Sequence, residues 1–427
     1  MKYDVIIVGA GAAGLSMADR LLTYNKKINI LLLEKEAVPG RKLSASGNGK
    51  CNLTNEDYGI NHYHGNNDKQ LNQLITTYSK DAVIDFMEHL GILLYERNGY
   101  YYPLSNQAKQ VTDVLVQNIK NKGAALLCGT RVIDIRQKYM ESRDSQRESV
   151  FNLSAKLPDG TVKEFTSDIL VLATGGMAAM ALGGCDDGYQ FVDALGIGRS
   201  RIYPALAPIY VEDSFLPAAK GVRIDGAVTL KNAEGGLLKE KGQIQFNADC
   251  LSGICIMNLS AEVWKLSKEQ LRDALFIDVL PAFSWEELKA YFLDRQKKVS
   301  NQSLQVLLNC MFPERFGTYI INRLLLDANM PVRDLSEKHI NRLTSNIKKL
   351  TFTPCLKKDF GKSQVTGGGV LLDEISLQSL ESVRYPKLYI VGELLDVYGD
   401  CGGYNLTFAV CSGLQAADDI IRKWKND

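Results

Sequence analysis

The sequence predicts an α/β protein in which one parallel-sheet domain is assembled from segments that lie far apart in the chain. Residues 2–8 form a short apolar strand that leads through a glycine-rich turn into a helical pattern and a second apolar strand at residues 28–33. Residues 169–172 and 388–391 form two further apolar strands, and each leads into a glycine turn, at Gly175 and Gly392. Strands that alternate with helices in this way indicate a parallel sheet.

Composition and charge restrict the class of protein. The chain has 427 residues, of which 45% are hydrophobic and 23% are charged, which is typical of a globular protein with two or three domains. Lys and Arg number 50 and Asp and Glu number 49, so we expect no nucleic-acid partner. No apolar run reaches the roughly 18 residues that span a membrane, and the N-terminus lacks a signal-peptide pattern. We therefore expect a cytoplasmic protein with no membrane partner.

Cysteine and histidine usage gives no metal signal. Nine cysteines are scattered without CxxC spacing, which disfavours a disulfide framework or a zinc site. His62 and His64 lie near no cysteine or carboxylate pattern, so we predict that they occupy an exposed loop and bind no metal.

The opening unit contains the strongest functional signal. The turn after the first strand has Gly9, Gly11 and Gly14, and the second strand ends on Glu34. Gly9 permits the tight turn, Gly11 lets a pyrophosphate approach the backbone, and Gly14 lets the helix pack closely on the sheet. The helix start offers N–H groups to phosphates, and Glu34 can accept hydrogen bonds from both ribose hydroxyls while repelling a 2′-phosphate. This Rossmann-like unit predicts FAD or NAD rather than NADP; the alternative is a chance glycine-rich turn.

Three later segments resemble parts of FAD-binding proteins. Residues 35–42 resemble the stretch that follows the ribose site in flavoproteins with two dinucleotide-binding domains. Residues 169–176 resemble the "ATG" strand that returns beneath the FAD, and residues 388–393 resemble the late glycine–acid element that reaches the ribityl chain. No second GxGxxG follows a strand, so we expect no dedicated NAD(P)H domain. Transient binding of NAD(P)H without such a domain stays an alternative.

Two further segments narrow the resemblance to one family. Residues 40–55 and 391–406 are similar to those of bacterial flavoproteins described as NAD(P)/FAD-dependent oxidoreductases, a family that includes aminoacetone oxidase. The resemblance covers the whole chain and implies non-covalent FAD, an inserted β-barrel and a helical cap. Lys50 replaces an arginine of the family pattern, which keeps the charge but loses the bidentate fork. Residues 183–189 are a shifted version of the family's turn into Gly-Asp-Gly-Tyr.

The resemblance and the local chemistry together predict the cofactor-binding residues. The loop at 40–52 can wrap the pyrophosphate and the pyrimidine edge of the flavin, or it can be a solvated basic loop. The helix start at 403–406 can direct N–H groups at the flavin N1–C2=O edge, or it can be an ordinary glycine-led start. Val132 stands where this fold commonly contacts adenine. The predicted residues are Gly9, Gly11, Ala12, Ala13, Gly14, Glu34, Lys35, Arg41, Lys42, Ser46, Gly47, Asn48, Val132, Thr174, Gly175, Gly176, Gly392, Glu393, Gly403, Tyr404, Asn405 and Leu406.

The predicted FAD domain is discontinuous. Short β runs from about residue 198 suggest a small barrel, and helical patterns follow. The predicted segments are residues 1–192 for the first part of the FAD domain, 193–258 for the barrel, 259–347 for the cap, 348–365 for a return segment and 366–427 for the last part of the FAD domain.

These features predict an FAD-dependent oxidoreductase that exchanges electrons between a small-molecule substrate and flavin N5. An oxidase that uses O2 competes with an NAD(P)H-dependent reductase, and a flavin- and folate-dependent tRNA-modifying protein or a non-catalytic flavin protein are further alternatives. No side chain is predicted to be the catalytic acid or base; Asp396 and Asp400 are expected to shape loops or bind water. Cys51 and Cys401 are expected to be small buried residues rather than a redox pair. The substrate, the electron acceptor and the oligomeric state stay open.

Overall fold

A computed structural model describes residues 2–141 and 147–426. The chain divides into two compact units, one formed by Met1–Tyr203 with Gln364–Asp427 and the other by Pro204–Ser363. The first unit is therefore discontinuous, and the second is inserted within it. The predicted boundaries of a barrel and a separate helical cap stay predictions.

The first unit begins with ten strands and six helices. Its strands are β1 (Lys2–Val8), β2 (Ile30–Leu33), β3 (Thr54–Asn55), β4 (Tyr63–His64), β5 (Leu94–Arg97), β6 (Tyr100–Pro103), β7 (Ala125–Leu127), β8 (Arg131–Glu141), β9 (Arg147–Lys156) and β10 (Val162–Leu172). Its helices are α1 (Ala12–Tyr24), α2 (Arg41–Ala45), α3 (Asp68–Ile75), α4 (Lys80–His89), α5 (Ala108–Asn121) and α6 (Asp187–Ala194).

The next strand is β11 (Tyr203–Ala205), whose residues span the point at which the chain passes from the first unit to the second. The second unit contains β12 (Ile209–Val211), β13 (Arg223–Lys231), β14 (Leu237–Phe246), β15 (Cys250–Ser252), α7 (Ile254–Leu259), α8 (Lys268–Leu271), β16 (Leu275–Asp278), α9 (Trp285–Lys298), α10 (Leu304–Asn309), α11 (Glu314–Arg323), α12 (Glu337–Lys348), β17 (Leu350–Phe352) and β18 (Pro354–Cys355). The chain then completes the first unit with β19 (Val365–Gly367), β20 (Leu388–Ile390), β21 (Tyr398–Gly399) and α13 (Tyr404–Asn426).

The central sheet of the first unit positions the site. Its strand order is β7-β2-β1-β10-β9-β8, with β20 also paired to β10. Strands β7, β2, β1, β10 and β20 are parallel, and β2 is buried along its whole length, as strands covered on both faces are. Because carboxyl ends of parallel strands meet at one edge of a sheet, the turns after β1, β2, β10 and β20 lie together. The predicted α/β class with a Rossmann-like domain is confirmed.

The second unit is built on a seven-stranded sheet in the order β17-β16-β13-β14-β15-β12-β18, with antiparallel pairing throughout. Its helices have local start signals. Ser284 and Glu287 form a capping box at the start of α9, and Ser336 and His339 form another at α12. The apolar faces of the sheet and the helices share one core, with Phe246 and Phe316 in edge-to-face contact.

Candidate cofactor-binding site

The three glycines of the first turn differ in what surrounds them. A Cβ on Gly9 would lie 2.3 Å from the carbonyl oxygen of Ala173, and the φ of Gly9 is +104°. A Cβ on Gly14 would lie 2.2 Å from the carbonyl oxygen of Gly9. A Cβ on Gly11 would meet nothing within 4 Å. Gly9 and Gly14 are therefore required by the packing of the turn, whereas the space beside Gly11 suits the close approach of a ligand.

Helix α1 begins at this turn with unpaired donors. Leu15 makes the first intrahelical bond, to the carbonyl of Gly11. Among the described residues, none accepts a hydrogen bond from the backbone N–H groups of residues 11–14. Four consecutive N–H groups at the positive end of a helix form a site for a phosphate.

Glu34 is fixed beside the turn at the end of β2. Its Oε2 accepts a hydrogen bond from the N–H of Ala10 at 2.9 Å, and its Oε1 accepts one from the N–H of Glu36 at 2.8 Å. The N–H of Thr130 donates to the carbonyl of Glu34. Val132, which is buried, follows two residues later on β8. Each carboxylate oxygen keeps a second acceptor position, which is what two ribose hydroxyls require.

Lys35 and Arg41, two of the predicted cofactor-binding residues, both contact the carboxylate of Glu36. Arg41 pairs with Glu36 and also donates to the carbonyl of Ala181 at 2.8 Å. Lys35 lies 3.5 Å from the same Glu36 carboxylate. Arg41 and Lys35 therefore hold the loop after β2 in place, and much of their charge is neutralised by Glu36.

Lys42 joins three predicted segments. Its Nζ lies 3.1 Å from Glu393 Oε2 and 3.5 Å from the carbonyl of Gly176. Glu393 Oε1 accepts the N–H of Thr366 at 2.9 Å, and a Cβ on Gly176 would lie 2.4 Å from the Thr366 hydroxyl. Three residues predicted from distant segments therefore meet, and Thr366 joins them. The prediction missed Thr366, because no motif spacing connects it to the others.

The loop after α2 has an irregular backbone. Ser46 donates to the carbonyl of Leu43 at 2.7 Å, and Gly47 and Asn48 both have positive φ. Asn52 Oδ1 is buried, and no group in the described ranges donates to it. A buried acceptor without a partner costs free energy, so this loop fits a ligand that brings a donor.

The turn after β10 packs under the start of α6. A Cβ on Gly188 would lie 2.0 Å from the Thr174 hydroxyl, and a Cβ on Gly175 would meet nothing within 4 Å. Asp187 in the first turn of α6 is held by Arg131 of β8, with N–O distances of 2.6 and 3.0 Å. This bidentate pair connects the Thr174–Gly175 turn to the strand that carries Val132.

The late glycine element lies beside the first helix. The N–H of Gly392 donates to the Ser412 hydroxyl at 3.0 Å, and a Cβ on Gly392 would lie 3.1 Å from Cβ of Ala13. A Cβ on Gly413 would lie 2.4 Å from the carbonyl of Ala13. The two helices α1 and α13 therefore pack at close range, with small residues in the contact.

Helix α13 provides a second set of free donors. Gly403 has a φ of +99°, and a Cβ there would lie 2.9 Å from the backbone of Thr54. The first intrahelical bond runs from Thr407 to the carbonyl of Gly403. Within residues 2–141 and 147–426, no protein group accepts from the N–H groups of residues 404–406. This helix start can bind an electronegative edge of a ligand.

His62 and His64 are not in an exposed loop, so that prediction was wrong. His64 Nε2 lies 2.7 Å from Asp400 Oδ1, and His62 Nδ1 lies 3.2 Å from Asp400 Oδ2. The other ring nitrogen of His62 lies 3.2 Å from a carboxylate oxygen of Asp57, and the ring stacks on Tyr404 at 4.4 Å. Asp400 is more than 330 residues away in sequence, so no local pattern could have shown the cluster.

The side chains of Tyr404 and Asn405 are occupied by protein partners. Tyr404 donates its hydroxyl proton to the carbonyl of Asp57 at 2.9 Å, and Tyr63 donates to the carbonyl of Tyr404. The Asn405 amide bonds both the N–H and the carbonyl of Gly399, each at 2.8 Å. The hydrogen-bond donors of residues 404–406 that are free for a cofactor are therefore those of the backbone.

Asp396, beside these elements, is a buried carboxyl with an altered acidity. It is 3% exposed, and burial raises its pKa to about 6. Asn66 donates its amide to Asp396 at 2.6 Å. Its expected role in shaping a loop or binding water stays a prediction.

The two expected buried thiols differ. Cys51 is fully buried, and burial raises its pKa to about 11. Cys401 is partly exposed, so the expectation of a buried residue is wrong there. All nine cysteines are thiols.

The predicted residues thus form two groups in the first unit. One surrounds the start of α1 and includes Glu34, the loop from residue 40, the turn at 174–176 and Gly392–Glu393. The other is the start of α13, which contacts β3 and β4. Two helix starts with free N–H groups and an unpaired buried acceptor fit the phosphate and flavin ends of FAD.

The fold and these elements define an FAD-dependent oxidoreductase, and the predicted class is confirmed. The chain belongs to the family described as "HI0933-like protein Rossmann domain", which matches residues 3–419.

Two curated relatives match from end to end. A "3-dehydro-bile acid delta(4,6)-reductase" of Clostridium scindens is 29% identical over 413 residues, covering 96% of this chain and 97% of the relative. A "Ribosomal RNA dihydrouridine synthase" of Escherichia coli is 27% identical over 430 residues, covering 98% of both chains.

A solved structure of similar fold is a 3-ketosteroid delta1-dehydrogenase from Sterolibacterium denitrificans in complex with 1,4-androstadiene-3,17-dione. It is 12% identical, with a TM-score of 0.51, and the match covers 99% of this chain and 100% of that one. At this identity the likeness concerns the fold alone. Among the described helices, none is long and apolar enough to cross a membrane.

Proposed function

We propose that this protein is an FAD-dependent reductase that saturates a carbon–carbon double bond conjugated to a carbonyl group. The observation that carries the proposal is the end-to-end similarity to two enzymes whose names share this chemistry. The delta(4,6) double bonds of a 3-dehydro bile acid are both conjugated to the ketone at position 3. Dihydrouridine is uridine whose ring double bond beside a carbonyl has been saturated. Both acceptors take a hydride at the double-bond carbon distal to the carbonyl and a proton from solvent at the other carbon of that bond.

The residues of the first unit have roles suited to this cofactor. When bound, FAD supplies hydride transfer at its N5 atom. The N–H groups of residues 11–14 would hold the pyrophosphate, Glu34 would accept hydrogen bonds from the ribose hydroxyls, and Val132 would contact the adenine. The N–H groups of residues 404–406 would hold the pyrimidine edge. The proposed contacts are hydrogen bonds and packing, which supports non-covalent binding of the cofactor.

A reductase needs an external electron source, and we propose NAD(P)H as a transient visitor. The chain contains one glycine-rich dinucleotide turn followed by a helix, which is assigned to FAD, so the nicotinamide donor binds without a module of its own. The competing function is an oxidase that reduces the flavin with its substrate and returns the electrons to O2.

Anaerobic stopped-flow spectroscopy tests this proposal. We expect NADH or NADPH to bleach the flavin absorbance and a conjugated ketone, such as a 3-keto-4,6-diene steroid or 2-cyclohexenone, to restore it without O2. The restored absorbance should match the saturated product in amount. Flavin that neither nicotinamide reduces, but that an amine or alcohol reduces and only O2 reoxidises, would contradict the reductase and support the oxidase.

A further inference from the structure

The outer face of the sheet in the second unit has an excess of positive charge. In an antiparallel pair, residues opposite each other project from the same face. Thr229 lies opposite Lys239 on one side and Phe276 on the other. Lys231 and Lys241 are each two residues from a member of this row, so they share the face. All three lysines are exposed.

Lys349 completes the set. Its Nζ lies 4.5 Å from the centroid of the Phe276 ring, and the Nζ of Lys231 lies 5.0 Å from the same centroid. We call the surface formed by Lys231, Lys239, Lys241, Lys349 and Phe276 the basic face. It places two ammonium groups close to one partly exposed aromatic ring, and two more on the same face of β14.

These four lysines lack the carboxylate partners that other cations of the second unit have, such as Arg323 with Asp213 and Lys348 with Asp278. In the part of the chain that the structure describes, none of the four forms an ion pair. Strands β13, β14 and β16 contribute two carboxylates to this face, Asp225 and Asp278. Asp278 is paired with Lys348 at 2.7 Å, and Asp225 is exposed at the far end of β13. The uncompensated charge makes the basic face complementary to an extended anion.

We propose that the basic face binds the phosphate backbone of RNA. This inference rests on the proposed reductase function and names its substrate class, a uridine within RNA. Lysines bind phosphates as point charges, and an aromatic ring between them gives a base a surface to stack on. Ring stacking tolerates any base, so the face would supply affinity and leave the choice of nucleotide to the reduction site.

RNA is favoured over other polyanions for two reasons. Lys231, Lys239 and Lys241 lie on neighbouring strands, and Lys231 and Lys349 approach the Phe276 ring. This arrangement matches the charge and stacking pattern of sheet surfaces that bind single-stranded RNA. One relative that matches 98% of this chain is named for dihydrouridine in ribosomal RNA. The net charge of +1 averages over the chain, whereas Lys and Arg outnumber Asp and Glu in residues 204–363.

Fluorescence anisotropy with a labelled single-stranded, uridine-rich RNA tests the proposal on the FAD-loaded protein. The triple variant K231E/K239E/K241E should weaken binding at least tenfold. It should also make the slope of log affinity against log salt shallower by about 2, because each phosphate contact on a single strand contributes about 0.7. Phe276→Leu should weaken binding several-fold with the slope unchanged, because it removes stacking and no charge.

The matched control is K268E/K297E/K338E, which makes the same charge change at exposed lysines on helices of the same unit. The control should bind RNA within about twofold of the wild type. Equal losses in both triple variants, or no salt-dependent binding by the wild type, would overturn the proposal. Loss of binding to phosphatidylglycerol vesicles with RNA binding intact would overturn it in favour of a lipid surface. Reoxidation of the flavin by 2-cyclohexenone decides the reductase function separately.

Discussion

Helices α1 and α13 both begin with free N–H groups, but their starts are built differently. The start of α1 is defined by backbone approaches that exclude a Cβ at Gly9 and Gly14. The start of α13 is held by side chains, with Asp400 between two histidines and Asn405 on both polar groups of Gly399. The start of α1 therefore depends on the absence of Cβ atoms, whereas the start of α13 depends on hydrogen bonds between side chains and their partners. They should respond differently to mutation.

The largest expected effect is at the start of α1. Gly14→Ala should lower the free energy of unfolding by about 2–4 kcal/mol, because its Cβ would lie 2.2 Å from a carbonyl oxygen that cannot move away. Gly11→Ala should leave the stability of the FAD-free protein within about 0.5 kcal/mol of the wild type. It should nevertheless weaken FAD binding about tenfold, or about 1.4 kcal/mol.

Thermal unfolding of the FAD-free protein and titration with FAD separate these outcomes. Gly11→Ala is the control for Gly14→Ala, because both add one methyl group to the same turn. If Gly11→Ala bound FAD like the wild type, the pyrophosphate would not approach the backbone there.

The same contrast explains what the sequence could predict. Gly9, Gly11, Gly14 and Glu34 are fixed by spacing within a single β-α-β unit, so the first helix start was predictable residue by residue. Glycine also indicated the start of α13, but the side chains that hold this helix start could not be identified from the sequence. His62 and Asp400, and likewise Lys42, Thr366 and Glu393, come together only when the parallel sheet brings distant segments to one edge.

The net charge of the chain likewise conceals a local feature that depends on the fold. A net charge of +1 gave no sign of the basic face, because lysines that alternate along β13 and β14 meet only when the register of the two strands is known. The parallel strands themselves were predictable, since continuous apolar runs ending in glycine are a local property.

A second test uses the buried carboxyl on the approach to α13. Burial raises the pKa of Asp396 from an ordinary value of 3.8 to about 6. The folded protein therefore holds this proton more tightly than the unfolded chain, and the stability this provides is lost as pH rises through about 6. Asp396→Asn keeps an acceptor for Asn66 and removes the charge. It should raise stability by about 2 kcal/mol at pH 8 and leave it unchanged near pH 4.

Melting temperatures of wild type and variant from pH 4 to pH 8 measure this difference. Asp85→Asn, at an exposed aspartate on α4, should give parallel curves. A constant difference for Asp396→Asn across this range would show that the charge of Asp396 is not the cause.

A smaller effect is expected for the cluster that holds the start of α13. Asp400→Asn should lower the free energy of unfolding by about 1 kcal/mol, because it weakens two partly buried contacts with histidines. It should also weaken FAD binding several-fold, since the loop from residue 399 sets the direction of the free N–H groups. Asp57→Asn removes the exposed partner of His62 and should change neither property. If Asp57→Asn lowered stability and FAD affinity as much as Asp400→Asn does, the exposed contact between Asp57 and His62 would be what holds this helix start.

The smallest effect is expected at Cys51, which lies in the loop after α2. Burial raises the pKa of its thiol to about 11, so the reactive thiolate is rare at pH 8. A thiol reagent should label exposed Cys310 rapidly and Cys51 only on unfolding. Cys51→Ala should cost about 1 kcal/mol of stability through the lost buried sulfur and leave the rate of flavin reduction by NAD(P)H unchanged. Mass spectrometry of the native protein after mild oxidation would detect a disulfide between Cys51 and Cys401. Such a disulfide would contradict the assignment of Cys51 as a buried, unreactive thiol and would give this loop a redox role.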